Sequence, residues 1–231
     1  WSWAPLFADY NNDGWKDLLI TNGFPKDVTD RDFGDFRITA SRLVSKQTLI
    51  AAIPEIKIPN FIFKNMEGKG FADVTKDWGL NFGTFSNGAA YGDLDNDGDL
   101  DLVINNINDP VLLLENHSNE LTPDDNFLRI KLIGDKQNPE AIGSTIITYY
   151  DNKQQRQSLL SGRGYLSQPE RTLHVGLGKI KKVDSIKIIW PNGKTQIEHN
   201  PTINKLNSYN YSPSNLISNK NNTPLFSKAS K

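Results

Sequence analysis

The nonapeptide DLDNDGDLD at residues 93–101, which runs into the apolar stretch 102–104, carries the strongest structural signal in the chain. Residues 9–17, DYNNDGWKD, repeat its pattern and run into the apolar stretch 18–20. In both copies Asp or Asn occupies positions 1, 3, 5 and 9, and glycine occupies position 6. A short apolar run after such a turn is typical of a buried strand. The repeat therefore predicts a loop followed by a strand, twice.

The spacing of the acids in each copy predicts a calcium site. Calcium takes about six to eight oxygen ligands, and side chains at alternate positions of a tight loop converge on one point. Glycine at position 6 permits the sharp turn that such a loop needs. The predicted ligands are the side chains at positions 1, 3, 5 and 9 and the backbone carbonyl at position 7: Asp9, Asn11, Asp13, Trp15 and Asp17 in the first loop, and Asp93, Asp95, Asp97, Asp99 and Asp101 in the second.

Other interpretations of the two loops are weaker. An EF-hand needs Glu at position 12, where this chain has Ile20 and Ile104. Ordinary solvated turns are the simplest alternative, but two copies in register favour metal binding, because carboxylates packed into one loop repel one another without a cation. Magnesium prefers octahedral sites rich in water and is less suitable, while manganese stays open. No histidine or spare acid lies beside either loop as a base, so we expect two structural Ca²⁺ ions.

The composition of the 231 residues excludes several classes of protein. Without cysteine, the chain has no disulfide, thiolate nucleophile or cysteine-based zinc site. Its formal net charge is −1, from 26 basic and 27 acidic residues, so we expect no nucleic-acid partner. No apolar run approaches the roughly 20 residues that cross a bilayer, so no membrane span is predicted.

Two β-rich domains and a tail are predicted along the chain. Residues 1–122 hold the two loops and several short strands, with an inserted, loosely helical segment at about 26–58. Residues 123–212 hold alternating and β-branched segments separated by turn signals, as in a β-sandwich. Residues 213–231 are rich in Asn, Ser and Lys, which predicts a flexible tail. The predicted fold class is therefore all-β.

The residues around the loops resemble the FG-GAP or VCBS repeat, a calcium-binding blade unit of β-propellers. The similarity is carried by FADVT at 71–75, WGL at 78–80 and NGAAYGD at 87–93, and by NN at 105–106 and LLEN at 113–116 after the second loop. The resemblance implies a calcium-binding blade in each copy. Because a propeller needs at least about four blades, we expect this chain to carry part of a longer propeller.

The second predicted domain is similar to the ASPIC and UnbV domain, which sits C-terminal to such repeats. Its signature recurs in order as AIGS at 141–144, SGRGYLSQ at 161–168, LHVGLG at 173–178, VD at 183–184 and WPNG at 190–193. Together the two resemblances imply a partial propeller followed by a sandwich-like domain. They also imply a bacterial protein that is secreted, periplasmic or exposed on the outer surface.

Three functions are compatible with these features. We expect a non-enzymatic, calcium-stabilised binding module that recognises a protein or a glycan outside the cytoplasm. One alternative is a polysaccharide-acting hydrolase or its accessory domain, with Glu140, Glu170 and Glu198 as candidate acids by elimination. The other is an RNA-binding protein that uses the lysines at 179, 181 and 182.

Two further residues outside the loops are predicted to be structural. His174 lacks an accompanying nucleophile elbow and is interpreted as a satisfied structural histidine. Trp190 precedes a Pro-Asn-Gly turn and is predicted to lie in the core, although a tryptophan beside polar residues can also bind a sugar ring.

Overall fold

The computed structural model describes residues 1–27 and 29–212, and it is mostly β-structure, in agreement with the predicted all-β class. The predicted flexible tail at 213–231 lies outside the described residues. The chain divides into two compact units. The first comprises Trp1–Tyr10, Trp15–Ser118 and Gly162–Glu170, and the second comprises Asn11–Gly14, Asn119–Ser161 and the described chain from Arg171.

The first unit is built from short antiparallel sheets. Its strands are β1 (Ser2–Ala8), β2 (Asp17–Asn22), β3 (Ile58–Pro59), β4 (Phe61–Asn65), β5 (Phe71–Asp73), β6 (Gly83–Thr84), β7 (Ser86–Gly92), β8 (Asp101–Asn106) and β9 (Leu112–Leu114). One sheet has the order β1-β2-β4-β5, a second has the order β7-β8-β9, and β3 pairs with β6. Sequential antiparallel strands of this kind form a meander.

The two acidic loops occupy equivalent places in these sheets. The first loop joins β1 to β2, and the last residue of β1, Ala8, pairs with Asp17. The second loop joins β7 to β8, and the last residue of β7, Gly92, pairs with Asp101. The predicted strands after the loops are confirmed as β2 and β8, and the internal repeat corresponds to one hairpin built twice.

One hydrophobic core serves the first unit. Leu6, Leu19 and Ile62 from the first meander lie in the same buried cluster as Leu102 and Ile104 from the second. The alternating burial along β1 and β2 explains this, because successive strand side chains point to opposite faces and one face is buried in this cluster.

The connection between β2 and β3 contains two helices, α1 (Arg31–Ala40) and α2 (Lys46–Ala51). Both begin at a side chain that caps the first turn. The Asp30 carboxylate accepts from the backbone N–H of Phe33 at 2.6 Å, and the Ser45 hydroxyl accepts from Thr48 N–H at 3.2 Å. Such caps satisfy N–H groups that have no partner within the helix.

Residues 162–170 are a late stretch of sequence that belongs to the first unit. Glu170 donates its backbone N–H to the Tyr91 carbonyl of β7 at 3.0 Å, and the Tyr165 ring lies 4.8 Å from the Trp3 ring. A Cβ atom at Gly88 would come within 2.7 Å of the Ser167 hydroxyl. Glycine in β7 is therefore needed for the close approach of this segment.

The second unit contains two sheets around one core. Its strands are β10 (Asn126–Ile133), β11 (Thr145–Tyr150), β12 (Lys153–Ser158), β13 (Leu173–Gly178), β14 (Ser185–Ile189), β15 (Thr195–His199) and β16 (Leu206–Asn210), and the short helix α3 (Ser118–Leu121) precedes them. One sheet has the order β13-β10-β16 and the other β12-β11-β14-β15. Ile130 and Val175 of the first sheet share a buried cluster with Ile146 and Ile188 of the second.

Among the described residues, no helix has the length and apolar character needed to cross a lipid bilayer.

Candidate metal loops

Three predicted ligands of the second loop come together. Carboxylate oxygens of Asp93, Asp95 and Asp97 lie within 4.8 Å of one another, with Asp93 buried and the other two exposed. The backbone bends around them, because Gly98 has φ +98° and Asn96 has φ +67°, a region that favours Gly and Asn.

Hydrogen bonds within the second loop hold this curvature. Gly98 N–H donates to Asp93 Oδ2 at 3.1 Å, Asp97 N–H donates to Asp95 Oδ1 at 3.2 Å, and Asp99 N–H donates to Asp97 Oδ1 at 3.0 Å. Because backbone N–H groups are neutral donors, they orient the carboxylates and leave their negative charges in place. The arrangement has the oxygen donors that a hard divalent cation requires.

The remaining acids of the second loop have additional contacts inside the fold. Asp99, whose backbone carbonyl is the predicted ligand, is buried, and its Oδ2 accepts from the Ser118 hydroxyl at 3.2 Å. Asp101 is buried and accepts from two backbone N–H groups, Leu94 at 2.8 Å and Asn116 at 2.9 Å. Asp101 therefore closes the loop, and its direct ligation of a cation stays a prediction.

Asp17 closes the first loop in the same way. Its Oδ2 accepts from Tyr10 N–H at 3.1 Å, and its Oδ1 accepts from Asn65 N–H at 2.9 Å. Asp17, Asp9 and Trp15 belong to the first unit, whereas Asn11 and Asp13 belong to the second. The predicted five-residue ligand set of the first loop stays a prediction.

The first loop has cationic groups near its acids in the first unit. Lys16 occupies position 8 of the loop, where the second loop has Leu100. Burial lowers the pKa of the Lys16 ammonium, the charge of Arg163 lowers it further, and the Asp9 carboxylate raises it in part. The Asp9 carboxylate therefore interacts with the nearby Lys16 ammonium. The second loop contains no Lys or Arg that could play this part.

The apex of the first loop is held by residues of the second unit. His174 Nε2 lies 2.6 Å from Asn12 Oδ1, and Gly178 N–H donates to the Asn12 carbonyl at 2.7 Å. Asn11 Nδ2 donates to Asp13 Oδ2 at 2.9 Å. Burial lowers the pKa of His174 to about 3, with a smaller contribution from Arg129, so the imidazole is neutral at physiological pH.

The ligand prediction did not include two supporting asparagines. Each lies at or just beyond the end of the third strand of its meander. Asn65 donates its side-chain N–H to the Lys16 carbonyl at 3.0 Å, and Asn116 does the same to the Leu100 carbonyl at 3.1 Å. Both asparagines also supply the backbone N–H that reaches the position-9 carboxylate. The sequence did contain a signal for them: the third strand of each repeat leads into an Asn, in FKN at 63–65 and in LEN at 114–116.

The other candidate acids have partners in the fold, and Glu170 adjoins the second loop, so the expectation that no spare acid lies beside either loop was wrong there. Glu140 pairs with Arg171, the Glu170 carboxylate accepts from Asp93 N–H at 3.3 Å, and Glu198 accepts from Gln196 at 2.7 Å. Each proposed hydrolytic acid thus has a partner within the fold. The lysines at 179, 181 and 182 are exposed.

The two residues outside the loops that were predicted to be structural are both buried. Trp190 is only 2% exposed and donates its ring N–H to Gln196 at 3.1 Å, so the predicted core position is confirmed. His174 is also buried, and its Nε2 contacts Asn12 as described above, but its Nδ1 is buried without a hydrogen-bond partner, so the predicted satisfied histidine is satisfied at one ring nitrogen only.

Comparison with known proteins covers the C-terminal part of the chain. No curated protein matches the chain significantly. Residues 134–215 match a protein-family model described as ASPIC and UnbV. The matched range contains all five signature stretches named above, from AIGS at 141–144 to WPNG at 190–193. This part of the protein is therefore similar in sequence to the ASPIC/UnbV domain.

Proposed function

We propose that this protein is a non-enzymatic binding module, stabilised by Ca²⁺ in its two acidic loops, that works outside the cytoplasm of a bacterium. The observation that carries the proposal is the convergence of Asp93, Asp95 and Asp97 in a loop bent by Gly98. Three carboxylates at this spacing repel one another, and a divalent cation would convert that repulsion into attraction.

We further propose that the two meanders are blades of a β-propeller of the FG-GAP/VCBS type. In support, each has its acidic loop between the first and second strands, with the same pairing of the residue before the loop and the position-9 Asp. Antiparallel meanders of about four strands are the unit of propellers.

The kind of site supports the proposed extracytoplasmic location. Asp95 and Asp97 are exposed, so a calcium ion must displace water from their carboxylates, and a site that is not held rigid by burial favours weak binding. Extracellular calcium modules have dissociation constants of roughly 10⁻⁴ to 10⁻³ M, which match the calcium available outside cells. Weak sites of this kind would be empty in a cytoplasm.

The test is unfolding of the chain in EDTA, followed by titration with CaCl₂ or MgCl₂. A ligand that binds only the folded state raises stability by RT ln(1 + [L]/Kd), or about 2.7 kcal/mol at a hundred times Kd. We expect a shift that is selective for calcium, reduced in Asp97→Ala and unchanged in Asp77→Ala, which alters an exposed acid outside both loops. Equal melting temperatures with and without calcium would refute the proposal.

A further inference from the structure

A pocket in the second unit lies where three connections meet at the ends of strands. Its volume is about 270 Å³. The connection after β10 contributes Asp135, Gln137 and Asn138, the turn after β14 contributes Trp190 and Asn192, and Tyr211 follows β16. Loops at one end of a sandwich are a common position for binding residues.

The apolar part of the pocket is made by rings. Trp190 and Tyr211 pack edge to face, with centroids 5.2 Å apart and planes at 84°. Trp190 is locked by its hydrogen bond to Gln196, so its position does not depend on a ligand. Because Trp190 is almost fully buried, the half-buried Tyr211 ring provides the aromatic surface of the pocket, and such a surface suits the C–H face of a sugar ring, which combines apolar and polar surfaces.

The polar groups of the pocket are oriented in advance, and several retain hydrogen-bonding capacity. Asn192 Nδ2 donates to the Tyr211 hydroxyl at 2.8 Å, which uses one of its two N–H groups and leaves the tyrosine proton to donate. Asn138 Nδ2 donates to the Ile142 carbonyl at 2.8 Å and likewise has a second N–H.

The acidic residue of the pocket supplies acceptors. Asp135 Oδ1 accepts from the backbone N–H groups of Gln137 and Asn138 at 3.0 and 3.1 Å. A carboxylate has about four lone-pair positions, so Oδ2 can still accept. The pocket thus offers both donors and acceptors, as adjacent hydroxyl groups require, and the negative charge disfavours acidic ligands.

From these contacts we infer that the ASPIC/UnbV-like domain of this protein holds one neutral pyranose ring in the pocket formed by Asp135, Gln137, Asn138, Trp190, Asn192 and Tyr211. This inference rests on the proposed role in binding and narrows its ligand from a protein or glycan to a glycan. It does not depend on calcium, because the pocket residues lie outside both acidic loops.

The experiment is saturation-transfer NMR of the full chain with methyl glycosides of glucose, galactose, mannose and N-acetylglucosamine, followed by a calorimetric titration of the best binder. A single ring is expected to bind with a dissociation constant on the order of millimolar. We expect Gln137→Ala and Asn192→Ala to weaken binding by roughly tenfold or more, since each removes polar contacts with hydroxyl groups.

The controls separate loss of the site from loss of the fold. Gln137 is exposed and Gln154 is an exposed amide on β12 outside the pocket, so Gln137→Ala and Gln154→Ala are matched truncations. Saturation transfer that is equal in the wild type and in Gln137→Ala and Asn192→Ala would overturn the inference, as would its absence for all four sugars.

The same titration in EDTA and in calcium separates the inference from the proposed function. Sugar binding of equal affinity in both buffers supports the inferred sugar site, independently of whether the acidic loops bind calcium. Calcium stabilisation without sugar binding overturns the pocket and leaves the calcium proposal standing.

Discussion

The two acidic loops share a nine-residue pattern, yet their charges are balanced differently. The second loop has five Asp residues and no cationic residue, and three of its carboxylates converge. The first has Asn11 in place of an Asp and Lys16 in place of Leu100. In its apex an amide N–H reaches Asp13. Loops with similar spacing therefore need not depend equally on a bound cation. Amide and ammonium groups can offset part of the carboxylate repulsion that calcium would otherwise offset.

The largest expected effect concerns the convergent carboxylates. We expect Asp97→Ala to abolish most of the calcium stabilisation due to the second loop, up to about 2.7 kcal/mol at a hundredfold excess over Kd. Asp13→Ala should remove less, because Asn11 already bonds to Asp13 without a cation. Unfolding of both variants in EDTA and in calcium measures the difference, and equal losses would remove the distinction between the loops.

The second prediction concerns acid sensitivity at the first loop's apex. The pKa of His174 is about 3 in the fold against 6.5 in an unfolded chain, so the unfolded state takes up a proton first as pH falls. The contribution of neutral His174 to the free energy of unfolding is fully present above about pH 6.5 and is lost as pH falls toward 3. The loss between pH 7 and 5 is roughly 2 kcal/mol.

The variants that isolate this contribution are His174→Gln and, as its control, His199→Gln, whose histidine is exposed. Urea unfolding between pH 7 and 5 should show a flatter pH dependence in His174→Gln alone. A slope identical to that of the wild type would mean that His174 is not a buried neutral group.

The third prediction addresses the asparagines behind the loops. Asn116→Ala removes the side-chain N–H that holds the Leu100 carbonyl, beside the closing carboxylate of Asp101. Groups that orient metal ligands typically change affinity by roughly 10- to 100-fold, so we expect a calcium affinity about tenfold lower. Calorimetry with Asn105→Ala, an exposed amide on β8, gives the matched control. Reduced stability with unchanged affinity would limit Asn116 to a role in folding.

The smallest expected effect comes from making the first loop resemble the second. Asn11→Asp adds a carboxylate and deletes the amide bond to Asp13, so stability in EDTA should fall by about 0.5–1.5 kcal/mol. The calcium affinity of the first loop should rise a few-fold, because charge count tunes such loops. Titration calorimetry measures both sites, and an unchanged or lower affinity would contradict the charge explanation.

The local features of the loops could be predicted from sequence because they depend on neighbouring residues. Gly14 and Gly98 have positive φ as the turn requires, and the strands after the loops begin at Asp17 and Asp101. The spacing of the acids predicts the turn, and the apolar run after them predicts the strand.

The supporting contacts depend on packing between distant segments, which the nonapeptides do not encode. Asn116 lies 15 residues beyond the acid it contacts, and His174 lies 162 residues beyond Asn12. The surroundings of Lys16 likewise involve Arg163, which is distant in sequence. A side chain of this kind can be recognised from sequence only by comparing the two repeats, as the shared strand endings at Asn65 and Asn116 show.

Gly88 lies where β7 and the segment 162–170, which are far apart in the sequence, approach each other closely. It leaves room for Ser167, so a larger residue at position 88 would push the segment 162–170 away from β7. A recombinant fragment that stops near residue 122 would leave this surface of its first unit bare. The bare surface would invite aggregation of any fragment whose end is chosen from the domain boundary alone.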